Sequence, residues 1–174
     1  MKKVLFLCLS LFLWGTAAPD QAYPNEFQAI VTHIIDGDTV KVRLKNKKSI
    51  IIHLDAIDCP ERDQPPYGIR ASQLTKALVQ DQLVTIQVYY HYGKWLNDVI
   101  LEGDRSLNQE LVKAGLAWWN FKNSDDEQLA YLEFMAKIMR VGLWQDRDPI
   151  PPWDFRQTKR NPSKGRTPQP LFAR

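Results

Sequence analysis

The sequence predicts an all-β barrel with helices, an α+β fold with five strands and three helices in one domain. Two observations carry that prediction. Strand-like patterns fill most of residues 27–101, and helical spacing of apolar residues dominates after 106, with one earlier helical stretch between the third and fourth strands. The chain has 174 residues and is 44% hydrophobic, long enough to bury one core without disulfide staples.

Residues 27–35 read as the first strand. Residues 39–44 alternate apolar and polar side chains, the mark of a half-buried second strand. Asn46 and its neighbouring lysines turn the chain into a third strand at 49–54, whose Ile50-Ile51-Ile52 run predicts cover on both faces. A loop rich in proline and charge occupies 55–67. Helical spacing then appears over 68–80 through Ala71, Leu74 and Leu78. Val84, Ile86 and Val88 alternate again as a fourth strand, and 95–101 forms the fifth, ending at Glu102-Gly103-Asp104. Ser106 can cap a short helix that Gly115 ends. Ser124 and Glu127 have the spacing of a capping box, opening a helix with Leu129, Leu132, Ala136 and Met139 inward and Gly142 at its end. Five short strands with a helix after the third fit a Greek-key barrel of the OB type, a scaffold for oligonucleotides, oligosaccharides or peptides.

The ends differ from the body. Lys2 and Lys3, an apolar stretch at 4–14 and the small residues 15–18 form a secretory signal, cut after Ala18; the apolar stretch is too short to span a bilayer. Cys8 leaves with that leader, so the mature chain keeps Cys59 alone and forms no internal disulfide. The division that follows is a leader at 1–18, a short segment at 19–26, the folded domain at 27–154 and a basic disordered tail at 155–174. The net charge of +3 is misleading. Within 19–154 acidic residues outnumber basic ones by 20 to 15, so the body is acidic and only the tail is basic. That excludes a uniformly basic nucleic-acid-coating protein.

Carboxylates crowd two stretches. Asp36 and Asp38 flank Gly37 between the first two strands, and Asp55, Asp58 and Glu61 follow the third. If those strands are neighbours, Asp38, Asp58 and Glu61 converge at one rim. Clustered carboxylates repel unless a hard cation neutralises them, and a glutamate beside such a cation can take a proton from water. By spacing alone, a plain turn at Asp36-Gly37 and a structural loop at Asp58-Cys59-Pro60 account for the same residues.

Four ordered motifs go further. Ile35-Asp36-Gly37-Asp38-Thr39-Val40, Ile57-Asp58-Cys59-Pro60-Glu61, Tyr92-Gly93-Lys94 and the run Leu-Asn-Gln-Glu-Leu-Val-Lys-Ala-Gly-Leu-Ala at 107–117 together resemble the thermonuclease (staphylococcal nuclease-like) family. The resemblance covers about 27–156. It implies an OB barrel with three helices and calcium-dependent hydrolysis of phosphodiesters in DNA and RNA. It further implies Asp38 and Asp58 as metal ligands, Cys59 as a ligand through its main-chain carbonyl, and Asp36 in the outer shell. Glu61 would orient or deprotonate water, Tyr92 would flank the nucleotide pocket, and Phe121 would stack on a base.

Two positions depart from that family. His53 and Lys94 stand where active members carry the arginines that grip the scissile phosphate. A lysine offers one point charge and a histidine a fractional one, so both donors are weakened. Tyr90 stands where the family usually has aspartate, and Asn120 and Asn123 stand near Phe121 where tyrosines are commoner, which implies a weaker base platform. Arg43, Arg62, Arg70 and Arg105 are available as substitutes, though spacing does not place any of them at the phosphate. The expectation is an exported, monomeric, calcium-dependent nuclease of reduced activity with His53 and Lys94 in the catalytic set. The competing reading is a catalytically lapsed OB module that binds nucleic acid without cutting it.

Overall fold

Alternating apolar residues on successive strands pair into an antiparallel sheet that is wrapped at one end by helices. A computed structural model describes residues 25–91 and 93–160. The expected leader at 1–18, the tail beyond 160 and Tyr92 lie outside the described residues, and of Lys94 only the backbone is described.

The elements run β1 (Asn25–Ile34), β2 (Thr39–Leu44), β3 (Ser49–His53), β4 (Ile57–Asp58), α1 (Tyr67–Val79), β5 (Leu83–His91), β6 (Lys94–Leu101), β7 (Arg105–Ser106), α2 (Leu107–Lys113), β8 (Trp118–Trp119), α3 (Glu127–Ile138), a 3-10 turn (Gly142–Gln145) and α4 (Pro152–Arg160). The main sheet is ordered β3-β2-β1-β5-β6-β7, and β4 pairs with β8 in a separate ribbon. The five long strands fall close to where the sequence predicts them. The ladder does not close into a barrel among the described residues. Instead one main-chain bond, Asp55 N–H to Asn97 O at 3.2 Å, joins the segment after β3 to β6, and the Asp55 carboxylate accepts the backbone and side-chain N–H groups of Asn97 at 2.8 Å each.

Four expectations need correction. Among the described residues helices number four rather than three, with the 3-10 turn besides, because residues 152–160 form α4 where the sequence predicts a disordered tail from 155. Pro152 is well placed at the start of α4, where no intrahelical N–H is needed, and Lys159 and Arg160 suit its last turn. The Ile50-Ile51-Ile52 run is not covered on both faces: β3 is an edge strand, and Ile51 is 62% exposed. In α3 the cap is Asp126, whose carboxylate accepts from Gln128 N and Leu129 N, while Ser124 receives the Asp126 N–H one step earlier. Leu129 and Ala136 face the core as expected, but Met139 is the C-cap residue and 65% exposed. The core joins Val31, Val40, Val42, Ile86 and Val99 of the sheet to Leu107, Leu111 and Leu129 of the helices.

Candidate active site

The β1–β2 connection is built around Asp38. The register of β1 against β2 slips between Val31 and His33, a bulge that twists the strand end. Thr39 O accepts from Ile35 N at 2.9 Å, and Asp38 O accepts from Leu54 N at 2.8 Å, so both ends of the turn are tied into the sheet. Gly37 is required by proximity. A Cβ there would stand 2.7 Å from the Ala71 Cβ and 2.8 Å from the Cys59 Cβ. Its carbonyl accepts the buried Thr75 hydroxyl of α1 at 2.5 Å.

Asp38 is buried, its side chain 7% exposed, and both carboxylate oxygens are engaged. One oxygen accepts the Cys59 N–H at 2.7 Å, which brings the β4 segment beside the turn. The other accepts the Thr39 hydroxyl at 3.0 Å and lies 3.4 Å from His53 Nδ1. Thr39 Oγ1 is also 2.9 Å from His53 Nδ1. Since the single Thr39 proton goes to Asp38, Nδ1–H is the donor to Thr39. The hydrogen bond to Asp38 raises His53 to about 9 against the opposing effect of burial. Burial pushes the Asp38 carboxyl up, but its bonds and charge contact with His53 outweigh that and leave it below the usual range. Asp36 moves the other way, to about 6, through burial and the adjacent Asp38 charge. His53 itself points outward from the edge strand, its side chain 55% exposed, rather than into the core.

Asp58 and Glu61 form the second half. Asp58 sits at the end of β4, which is held by pairing of Ile57 with Trp119 and of Asp58 with Trp118. The Glu61 loop is clamped where α1 begins: a Cβ on Gly68 would fall 1.8 Å from the Glu61 carbonyl oxygen. Into this pair reaches Arg156 from α4. Nη2 donates to Asp58 Oδ2 at 2.7 Å, and Nη1 donates to Asp58 Oδ1 at 3.1 Å and to Glu61 Oε1 at 2.7 Å. Burial raises the Asp58 carboxyl above its usual range, and the Arg156 fork opposes that only in part. Three other contacts fix α4 here. Gln64 Nε2 donates to Ile150 O at 2.6 Å, Lys159 pairs with Asp63, and the Trp153 ring meets Trp118 edge-on at 6.2 Å.

Beside the carboxylates lies a polar cleft of about 350 Å³ lined by His53, Asp55, Asp58, Trp95, Asn120 and Arg156, among others. Trp95 packs against Tyr90 at 5.1 Å, and both rings are exposed. Phe121 is exposed and stands 6.2 Å from Trp119. The structure thus brings Asp36, Asp38, Cys59 and His53 into one bonded group and Asp58 and Glu61 into another beside it. Cys59 is a buried thiol whose pKa burial drives well upward, so its side chain stays a neutral thiol while its backbone N–H serves Asp38.

None of the four substitute arginines enters the cleft. Arg62 reaches Ile35 O, Arg70 lies over the Tyr67 ring, Arg105 pairs with Glu110, and Arg43 sits in β2 opposite Ser49. Sequence reasoning missed Arg156 because composition assigned it to the tail. The signal available was Pro152 followed by Trp153 and Phe155, a helix start carrying aromatic anchors.

Carboxylates thus crowd the Asp38 turn and the segment after β4, beside a cleft whose lining carries the Arg156 guanidinium. The chain belongs to the staphylococcal nuclease homologue family, whose model matches residues 51–146. That stretch includes His53, Asp58, Cys59, Glu61 and Phe121 but neither Asp38 nor Arg156. An "uncharacterized endonuclease" of Escherichia coli is 34% identical over 161 residues, covering 91% of this chain and all of that protein. A "micrococcal nuclease" of Shigella flexneri is 33% identical over 148 residues, covering 78% of this chain and 84% of its own.

Proposed function

We propose that this protein is an exported, monomeric, calcium-dependent nuclease that hydrolyses phosphodiester bonds in DNA or RNA. Its activity is reduced because His53 and Lys94 replace two phosphate-binding arginines. The observation that supports this reading is the Asp38 carboxylate bonded to Cys59 N–H, one residue from Asp58, which Arg156 bridges to Glu61 beside the cleft. Family membership supports a nuclease; the leader read in residues 1–18 supports export.

The donor set fits calcium in kind, since the Asp38 and Asp58 carboxylates and the Cys59 carbonyl are all hard oxygen ligands. No three His, Cys, Asp or Glu side chains among the described residues form a metal-holding group, so the fit rests on two side chains and one carbonyl. When bound, calcium would supply positive charge against a phosphoryl oxygen. The chain's own residues do the rest. Glu61, half-buried beside Asp58, accepts the proton of the attacking water. His53, raised to about 9 and so cationic at neutral pH, spends Nδ1–H on Thr39 and has Nε2–H as its remaining donor in a side chain that lines the cleft. Lys94 adds a point charge. Removing one such transition-state donor costs roughly a hundred- to a thousandfold in rate, which sets the scale of the expected deficit.

The test is cleavage of long single-stranded DNA by the mature chain, with calcium or with chelator. Cleavage that survives chelator sinks the calcium requirement, and cleavage that survives Glu61→Ala sinks the assignment of the base. The second reading, a lapsed binder, is favoured by the commitment of His53 Nδ1 to Thr39 and Asp38. It would hold if only the His53→Arg, Lys94→Arg double variant cuts.

A further inference from the structure

We propose that Arg156 is the phosphate-gripping guanidinium of this site, delivered by α4 to the cleft that His53 also lines, in a chain whose His53 and Lys94 stand at the family's two arginine positions. The proposal rests on the nuclease reading above. Among the described residues lining the cleft, Arg156 is the only lysine or arginine. Its side chain is 40% exposed, against 13% for Asp58, so the guanidinium meets both the carboxylates and the open cleft. The fork uses both N–H groups of Nη1 and one of Nη2, which leaves the second Nη2–H and Nε–H as donors for an anion. An arginine holds phosphate with a planar fork that neither histidine nor lysine can form.

The position of α4 is built rather than incidental. The Lys159–Asp63 pair, the Gln64 bond to Ile150 O and the Trp153–Trp118 contact hold the helix on both sides of Arg156. In this structure Arg156 neutralises Asp58 and Glu61. A divalent cation and the fork compete for the Asp58 oxygens, and a guanidinium displaced from them lies beside the cleft with its charge available to the phosphate.

The experiment compares the wild-type mature chain with Arg156→Gln, Arg156→Lys and Lys159→Gln. Three measurements are made: cleavage kinetics in calcium, calcium affinity by calorimetry, and anisotropy of a short labelled single-stranded DNA in chelator across a salt series. For Arg156→Gln, kcat should fall about a hundred- to a thousandfold, with partial restoration by added methylguanidinium. Calcium should bind more tightly, because the competing fork is gone. The salt slope of metal-free DNA binding should drop by about 0.7, the value of one phosphate contact on a single strand. Arg156→Lys should fall between wild type and Arg156→Gln, and Lys159→Gln should keep most of the activity.

Unchanged or faster cleavage by Arg156→Gln with tighter calcium would make Arg156 a latch over the carboxylates and overturn the proposal. An unchanged salt slope, or an equal loss in Lys159→Gln without guanidinium rescue, would reduce it to a structural counter-ion. Should Arg156→Gln unfold, Arg156→Lys and the chelator arm still decide. If the wild type does not cut at all, the nuclease reading fails separately, and the salt slope still tests the phosphate contact.

Discussion

The two halves of the rim are held in opposite ways. Asp38 is fixed by neighbours: its own backbone, Thr39, Leu54 and Cys59 engage it within a turn between paired strands. Asp58 and Glu61 are held by a residue almost a hundred positions later, on a helix docked through a few side chains. A site made this way has one rigid wall and one wall that can exchange partners. The rigid half resists substitution at every atom, whereas the tethered half trades one cation for another without disturbing the sheet.

The largest effect should come from Gly68→Ala. Its Cβ would lie 1.8 Å from the Glu61 carbonyl oxygen, so the start of α1 or the Glu61 loop must move. Overpacking of this kind costs about 1–3 kcal/mol and sometimes more, which for a chain of this size lowers Tm by about 2–12 °C. Cleavage should fall with it, as Glu61 shifts. Calorimetry that shows an unchanged Tm would mean the Glu61 loop gives way in its backbone as readily as in its Arg156 contact, which would sharpen the contrast with the Asp38 turn.

Gly37→Ala probes the rigid half in the same way. The added methyl meets side-chain carbons at 2.7 and 2.8 Å rather than backbone, so a smaller loss of about 1–2 kcal/mol is expected by thermal unfolding. A loss greater than that of Gly68→Ala would mean that the side-chain packing around Gly37 yields less than the backbone clamp at Gly68.

Ending the chain at Asp154 keeps Trp153 against Trp118 but removes Arg156. The expected loss is about 1–2 kcal/mol, discounted because the Arg156 side chain is well exposed. The Asp38 turn should be untouched, which amide hydrogen exchange at Thr39 and Cys59 can check. Loss of protection there would show that α4 supports both halves.

What the sequence disclosed follows the same division. Strands β2 and β5 announce themselves by alternation, and the pair Asp36 and Asp38 is local, so both could be read directly. Joining Asp58 to Asp38 required only that β3 neighbour β2, a short-range pairing. Arg156 could not be read, because its partners are distant and its surroundings have the proline and charge content of a tail. The burial error at Ile51 has a related cause: an apolar run does not say whether its strand ends up at an edge, and sheet order is decided by the whole chain. Met139 failed for a different reason. Helical spacing continues past the last turn on paper, but the helix stops at Ile138 and the next side chain turns to solvent.

The smallest predicted effect concerns pH and belongs to the rigid half. His53 has its folded pKa raised to about 9, above the ordinary 6.5, chiefly by its bond to Asp38. A raised pKa means that the folded state binds the proton more tightly than the unfolded chain. The stabilisation is therefore complete below about pH 6.5 and is lost as pH rises through about 9. Because the ring is more than half exposed, solvent screening holds the contribution to about 1 kcal/mol or less. In chelator, Tm of the wild type should decline between pH 6.5 and 9, and His53→Gln should flatten that decline while keeping a donor for Thr39. If the slope persists in His53→Gln, the alkaline sensitivity belongs to another group. The Asp38–Thr39–His53 chain would then be held by geometry alone, a wall whose rigidity owes nothing to charge.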